Sequence, residues 1–572
     1  MTSEVKKWEI AKRRDTNLWR VTASDRVLAK SYDYVIVGAG SAGCVVARRL
    51  LDGTDATVLL LEAGGPGDGV ASLWNPPQWV ENLGSPYDWA YRYEPSPHVA
   101  HRAIPLSLGK VLGGSGRINA MVWARGHRAD YEGWAEAGNP GWDFHSVLPL
   151  FKQAEDWEDG ESEFRGAGGP IRVERAKNLH PATAAFIDAG RSYGMPDLDD
   201  LNVPEPEGVG PMNLNVRDGI RCSPADAYLW PVMANQNLTV LTEALAVKLR
   251  FTGTRCTGLD FLLDGKLHSV GASRELILCA GAIHSPRLLL LSGIGPHADL
   301  KHLGIETLVD LPGVGRNLQD HVWIRGLCFE AKHPLPTPNN NLGGTACFWK
   351  SRPALARPDL MVLAAQGPLL SDEIATRYVI PPNAFAIFPC LVRPLSRGYL
   401  RIRSTEPNGP LEIQPNFLAE QADVDALASG VELGLDLASQ PAYRDLIKRW
   451  IVPAKRMSRT DTVEFARQTC QSYLHPVGTC AMGLDREAVV DAELRVRGVD
   501  GLRIADASVM PTIPAANTNA ASIMIGEFVS RVLTGVRTSR TVAGNSQSQR
   551  RDREQPSRAT GQHAQNSRVM PT

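Results

Sequence analysis

YDYVIVGAGSAGCVVARRL (Tyr32–Leu50) opens with a short apolar run, Tyr34–Val37, passes through Gly38-Ala39-Gly40-Ser41-Ala42-Gly43, and continues as a helical stretch. In such a turn Gly38 permits the tight bend, Gly40 lets the backbone approach a pyrophosphate, and Gly43 lets the helix pack closely on the strand. The helix N-terminus then offers free N–H groups and a positive dipole end to phosphate. A second strand, Thr57–Leu61, ends in Glu62, an acid placed to accept hydrogen bonds from an adenosine ribose. A carboxylate there disfavours a 2′-phosphate, so FAD or NAD is expected rather than NADP. A glycine turn beside a solvated Glu62 is the competing reading. The strand before, the helix after and the acid ending the next strand favour the dinucleotide site.

Two further blocks read as strand–turn–helix, Glu275–Ser292 and Leu502–Val532, and the segments between them are rich in Trp, Pro and Gly with short strand-like runs such as Tyr399–Arg403. The fold class expected is α/β: a Rossmann-like nucleotide domain with a parallel sheet, assembled from separated stretches, plus an α+β substrate domain with an antiparallel sheet. The boundaries read are 31–160, 222–325 and 471–536 for the first, and 161–221 and 326–470 for the second. Residues 1–30 form an N-terminal extension, and 537–572, rich in Ser, Arg, Gln and Asn, is expected to be disordered. A chain of 572 residues exceeds what one core usually serves.

Hydrophobic residues make up 43% and charged residues 22%, with a net charge of -1, which argues against nucleic-acid or anionic-membrane partners. Nine scattered cysteines without a CxxC pair suggest buried thiols in a reducing compartment and no metal site. No apolar run is long enough for a membrane span, and the N-terminus does not read as a secretory signal, so cytoplasmic residence is expected.

Several longer blocks decide between FAD and NAD. Gly109-Lys110-Val111-Leu112-Gly113-Gly114-Ser115-Gly116-Arg117-Ile118-Asn119, continuing to Gly126, resembles the first signature of the glucose–methanol–choline (GMC) oxidoreductases, and Gly281–Gly295 resembles the second. With Leu61–Gly65, GVGRNLQDH at Gly313–His321, ADASVMP at Ala505–Pro511, and the segments around His475 and Asn519, the resemblance covers about residues 32 to 535. It implies an FAD-dependent enzyme of the alcohol oxidase and dehydrogenase branch. The glycines of the first block let backbone amides approach a planar ring system. The cofactor contacts implied are Gly38, Gly40, Ser41, Ala42, Gly43, Glu62, Ala63, Gly109, Val111, Gly113, Gly114, Asn119, Ala120, Val247 (through its backbone), Asp506, Ala507 and Asn519. Some relatives carry a flavin-linked histidine in this loop; Ile118 and Asn119 stand here instead, so the FAD is expected to be non-covalent. Arg117 is read either as a salt-bridged surface arginine or as a flavin contact. Asp506 is read as a cofactor acid, an N-cap, or both.

Alcohol oxidation needs a base for the hydroxyl proton and an acceptor for the hydride, and a neutral imidazole titrates nearest the working range. Carried over from the family, His475, in YLHPVGTC, is the base and Asn519, in PAANTNA, its partner holding the developing alkoxide. Pro476 restricts the backbone at His475. His321 is expected to have a structural hydrogen-bonding role, and His284 a packing or flavin-side one. Phe348, Trp349, Phe385 and Phe388 are read as pocket lining or as core. No acid is assignable to a quaternary ammonium group, so the expected substrate is a neutral primary alcohol of aryl, furanic or pyridine-methanol type, oxidised to the aldehyde with O2 as acceptor. The alternatives are a choline-type or other dehydrogenase using a quinone-like acceptor, and a non-redox hydroxynitrile lyase.

Overall fold

Val35, Ile36, Leu59 and Leu60 are wholly buried, because a parallel strand covered on both faces has no solvent side to alternate with. A computed structural model describes residues 28–535. The disordered tail read for 537–572, and the extension read for 1–30 as far as residue 27, lie outside the described residues.

The nucleotide-type sheet is built from β1 (Ser31–Val37), α1 (Ser41–Gly53), β2 (Val58–Leu61), β3 (Leu238–Leu241), β4 (Leu245–Thr252), β5 (Arg255–Leu263), β6 (Lys266–Leu278), α2 (Gly281–Leu291), β7 (Leu502–Ile504) and α3 (Asn519–Thr534). Its order is β3-β2-β1-β6-β5-β4, with β7 beside β6. The pairs β3–β2, β2–β1, β1–β6 and β6–β7 are parallel, whereas β4, β5 and β6 form an antiparallel meander. The long β6 serves two neighbours in succession. Lys266–Gly271 pairs with β5, and Leu276–Leu278 pairs with β7, which returns the last part of the chain to the glycine turn. Thr57, read as the first residue of the second strand, instead precedes it and donates its N–H to the Asp33 carboxylate at 2.9 Å.

Two packing features fix the turn. At Gly38 φ is +99°, and a Cβ on Gly43 would stand 1.9 Å from the Gly38 carbonyl oxygen, so the strand and helix touch through backbone alone. Helix α3 then lies on α1 through Gly526, set against Ala42 and Val45, and through the Glu527 carboxylate, which accepts from Arg49 Nε and Nη2 at 2.8 Å and from the Tyr228 hydroxyl at 2.8 Å.

The second sheet has eight strands and is antiparallel throughout. Its order is Ile447–Val452, Leu327–Ala331, Ala384–Leu391, Leu360–Ala365, Thr345–Trp349, Gly208–Pro211, with Val322–Ile324 joining Ala384–Leu391 to Cys470–Ser472. That last junction matters most for the site. Pairing Val322 with Ser472 sets His321 opposite Tyr473, whose N–H donates to the His321 carbonyl at 2.9 Å. Among the described residues no helix is long and apolar enough to cross a membrane, and no His/Cys/Asp/Glu cluster could hold a metal ion.

Candidate active site

One cavity runs from Glu62, Ala63 and Ala244–Ala246 at the ends of β2 and β3, past Gly38, Gly40, Ser41 and Ala42, under Gly109 and Gly114, to Asn119, Ala120, His475 and Asn517. Its two ends differ in chemistry. At the first end the buried Glu62 carboxylate accepts from Ala39 N–H at 2.9 Å and Gly64 N–H at 2.8 Å, and burial lifts its pKa to about 7. A carboxylate held this way, with no ion-paired cation, favours hydroxyl donors from a ligand. In the middle, α1 starts at Ser41 with neither a side-chain cap nor an acid in its first turn, leaving amides and dipole for an anion. Gly114, at φ +54°, lies so close that a Cβ would stand 2.7 Å from Gly40 Cα. Asn519 accepts from Ser41 Oγ at 2.7 Å, and its buried Nδ2 has no partner in the protein. A buried carboxylate, an uncapped helix start and an unpartnered amide donor along one cleft fit an adenine dinucleotide bearing a ring with carbonyl acceptors.

Other residues read as cofactor contacts hold the cleft in shape. Val111 is buried against Leu73 and Ile118, Gly113 donates its N–H to Ala39 O at 2.7 Å, and neither lines the cavity. Gly43 likewise packs inward. Val247 does not line the cavity either; Ala246 does, and the β4–β5 pairing skips Val247, passing from Ala246 to Lys248. Asp506 lines the cavity beside Ala507 and accepts from Ser285 Oγ, Ser508 Oγ, Ser508 N–H and Gly281 N–H, so it joins the start of α2 to the end of β7. Arg117 is not at the surface, as one reading had it. It is buried, donates to the carbonyls of Pro66 and Leu112, and lies over the Trp230 ring.

At the other end stands His475, and the pairing expected for it is corrected. Its Nε2 faces Asn517 Nδ2 at 3.2 Å, not Asn519. Helix α3 begins at Asn519, and residues two apart where a helix starts project to opposite sides, so 519 faces Ser41 while 517 faces the imidazole. The imidazole Nδ1 lies 3.0 Å from His321 Nδ1. Backbone geometry aims the ring: Leu474 is in the left-handed region at φ +66°, and Pro476 follows. The buried Asp320 carboxylate fixes this turn by accepting from His475 N–H at 2.8 Å, from Tyr93 OH at 2.7 Å and from Ser472 Oγ. Gln319 donates to Pro511 O and accepts from Ile513 N–H, tying in the segment that leads to Asn517.

Burial pushes the His475 pKa down to about 3, so the ring is a neutral imidazole. His321 is also pushed down, first by burial and then by His475. Burial lifts Asp320 to about 6. Around His475 the wall is apolar and aromatic: Trp79, Leu83, Val122, Trp323 and Tyr473. Tyr473 lies on Trp323 with centroids 4.5 Å apart and on His475 at 4.6 Å. Phe348, Phe385 and Phe388 are core residues, and neither they nor Trp349 reach the cavity. His284 also lines the cavity, its Nε2 bonded to Tyr91 OH at 2.9 Å. The roles of Trp79, Trp323, Tyr93 and Asp320 were missed in the sequence; the NLQDH run was the available signal for the last.

Comparison with known proteins agrees with this architecture. Models of the N- and C-terminal parts of the GMC oxidoreductases match residues 32–323 and 394–526. Human mitochondrial choline dehydrogenase (Homo sapiens) is 38% identical over 542 residues, covering 88% of this chain and 90% of that protein. The oxygen-dependent choline dehydrogenase of Photobacterium profundum is 36% identical, with 88% and 95% covered. The crystal structure of pyridoxine 4-oxidase from Mesorbium loti superposes with a TM-score of 0.84 at 34% identity, over 88% of this chain and all of that one. With a cleft built for a dinucleotide and a neutral imidazole at its far end, the chain belongs to the GMC oxidoreductase family and is an FAD-dependent enzyme acting on CH–OH groups.

Proposed function

We propose that the protein oxidises a neutral primary alcohol carrying an aromatic ring, of the aryl, furanic or pyridine-methanol type, to the aldehyde, with O2 as electron acceptor. The carrying observation is the wall around His475: it is aromatic and apolar, and no carboxylate stands in it. The two acids that line the cavity, Glu62 and Asp506, are engaged at the cofactor end.

In this reading the ring of the alcohol packs against Trp79, Trp323 and Tyr473, and its hydroxyl enters between His475 and Asn517. His475 Nε2 takes the hydroxyl proton, and Asn517 Nδ2 donates to the oxygen as negative charge develops on it. Bound FAD supplies the hydride acceptor. The proton leaves a buried imidazolium behind, a positive charge of the kind that assists oxygen reduction. Ile118 and Asn119 present no nucleophile to a flavin, which supports non-covalent attachment.

Choline is the second reading, favoured by the choline dehydrogenases at 36–38% identity and by the same aromatic residues acting as a cation cage. The test is anaerobic titration of the yellow holoenzyme with benzylic, furanic and pyridine methanols and with choline, followed by readmission of air. Bleaching by the ring alcohols with choline at least tenfold poorer, and peroxide formed on adding air, is the expected result. Choline as the better reductant overturns the substrate reading. Slow reoxidation in air, with fast reoxidation by a quinone, overturns the acceptor.

A further inference from the structure

We infer that His321 is a positioning residue that holds His475 as its Nδ1–H tautomer and so keeps Nε2 bare toward the substrate. The inference rests on reading His475 as the base. Two neutral imidazoles meet here nitrogen to nitrogen, Nδ1 to Nδ1 at 3.0 Å, with ring planes 88° apart. A single proton occupies that contact, because two would clash and none would leave two lone pairs opposed. Which ring carries it is decided at the other nitrogen of His475. That Nε2 faces Asn517 Nδ2 at 3.2 Å, and an amide nitrogen only donates, so Nε2 is the acceptor, the proton sits on His475 Nδ1, and Nδ1 of His321 receives it.

His475 must then donate from Nδ1, and its Nε2 presents a lone pair beside Asn517 Nδ2 and the cavity. Two other neighbours of His475, Tyr473 and Asp320, do not compete for its ring nitrogens. Tyr473 packs on its ring face, and the Asp320 carboxylate is taken up by the His475 backbone N–H, Tyr93 and Ser472. When the alcohol proton moves to Nε2, the Nδ1–H bond to His321 is already made and strengthens as the ring becomes cationic. The opposite tautomer would place N–H at Nε2 and leave nothing to receive the proton.

The test is made on holoenzyme labelled with 15N-histidine, using long-range 1H–15N spectra, with His475 assigned by its loss in His475→Gln. The expected result is His475 protonated at Nδ1 and bare at Nε2, drift toward Nε2–H in His321→Leu, and restoration in His321→Asn, whose Oδ1 falls near the original Nδ1. Flavin reduction by alcohol should slow about 10²-fold in His321→Leu at unchanged FAD content and near-unchanged substrate saturation, and recover at least tenfold in His321→Asn. An Nε2–H tautomer in the parent, or one tautomer throughout the series, overturns the inference. Equal kinetic losses in the two His321 variants do the same. Because the spectra need no turnover, failure of the base reading shows separately, as undiminished flavin reduction by alcohol in His475→Gln.

Discussion

Replacing Asn517 by alanine separates the two asparagines of PAANTNA by function. Asn517 Nδ2 lies 3.2 Å from His475 Nε2, so an alcohol oxygen giving its proton to that nitrogen falls within reach of the amide as well. Losing one preorganised donor at a developing oxyanion costs about 10²–10³ in rate constant, or about 2.7–4 kcal/mol. The donor is a neutral amide, and the contact is at the long end of the hydrogen-bond range, which selects the lower bound, about 10²-fold. Asn519→Ala removes a different contact, the Ser41 hydrogen bond and an unpartnered donor on the cofactor side. It should weaken FAD binding while leaving flavin reduction within about tenfold once FAD is saturating. The assay is anaerobic rapid mixing of each reconstituted variant with the best alcohol of the panel, following the flavin band over a range of concentrations. A reduction rate for Asn517→Ala within threefold of the parent would refute the assignment, as would a larger loss in Asn519→Ala.

Three further outcomes follow from the geometry. The acid limb of kcat/KM for alcohol oxidation should lie well below the ordinary histidine value of about 6.5: a depressed pKa keeps His475 deprotonated as pH falls through the usual imidazole range, so a pH profile with its limb near 6.5 would contradict the burial of this ring. Gly43→Ala should purify largely colourless, because a Cβ 1.9 Å from the Gly38 carbonyl forces α1 off β1 and breaks the anion end of the cleft; the flavin-to-protein absorbance ratio measures it. Glu527→Gln should destabilise the fold by about 3 kcal/mol, at the low end for breaking a buried ion pair because Arg49 keeps 20% side-chain exposure, read as a lower thermal midpoint.

The sequence carried the cofactor end of the cleft more completely than the chemical end, for a physical reason. Gly38, Gly40, Ser41 and Glu62 act within one strand–turn–helix–strand unit, where spacing along the chain fixes spacing in space. His475 was legible because its segment is a run of distinctive residues. Its partner was not: choosing between Asn517 and Asn519 requires knowing at which residue α3 begins, and element ends are the least readable feature of a sequence. The lining was not legible for a related reason. Strands Thr345–Trp349 and Ala384–Leu391 are almost wholly buried on both faces, so no alternation marks which side meets the substrate. Trp79 and Trp323 reach the cavity from a 3-10 turn and a three-residue strand that carry no periodic signal.

The register between Val322–Ile324 and Cys470–Ser472 links these two halves of the site. A shift of one residue would turn His321 and Tyr473 to the opposite faces of their strands and separate the two imidazoles. What resists the shift is polar and local. Asp320 bonds Tyr93, Ser472 and the His475 backbone, Gln319 pairs with Val477, and Gln319 also grips Pro511 and Ile513. Asp320, Tyr93, Ser472 and Gln319 are buried, so each of their bonds left unmade would cost about 1–3 kcal/mol, and slippage would forfeit several at once. The NLQDH segment therefore sets the base, its neighbouring imidazole and the asparagine segment with one strand end, and the aromatic wall of the substrate chamber rises from the adjoining residues Trp323 and Tyr473.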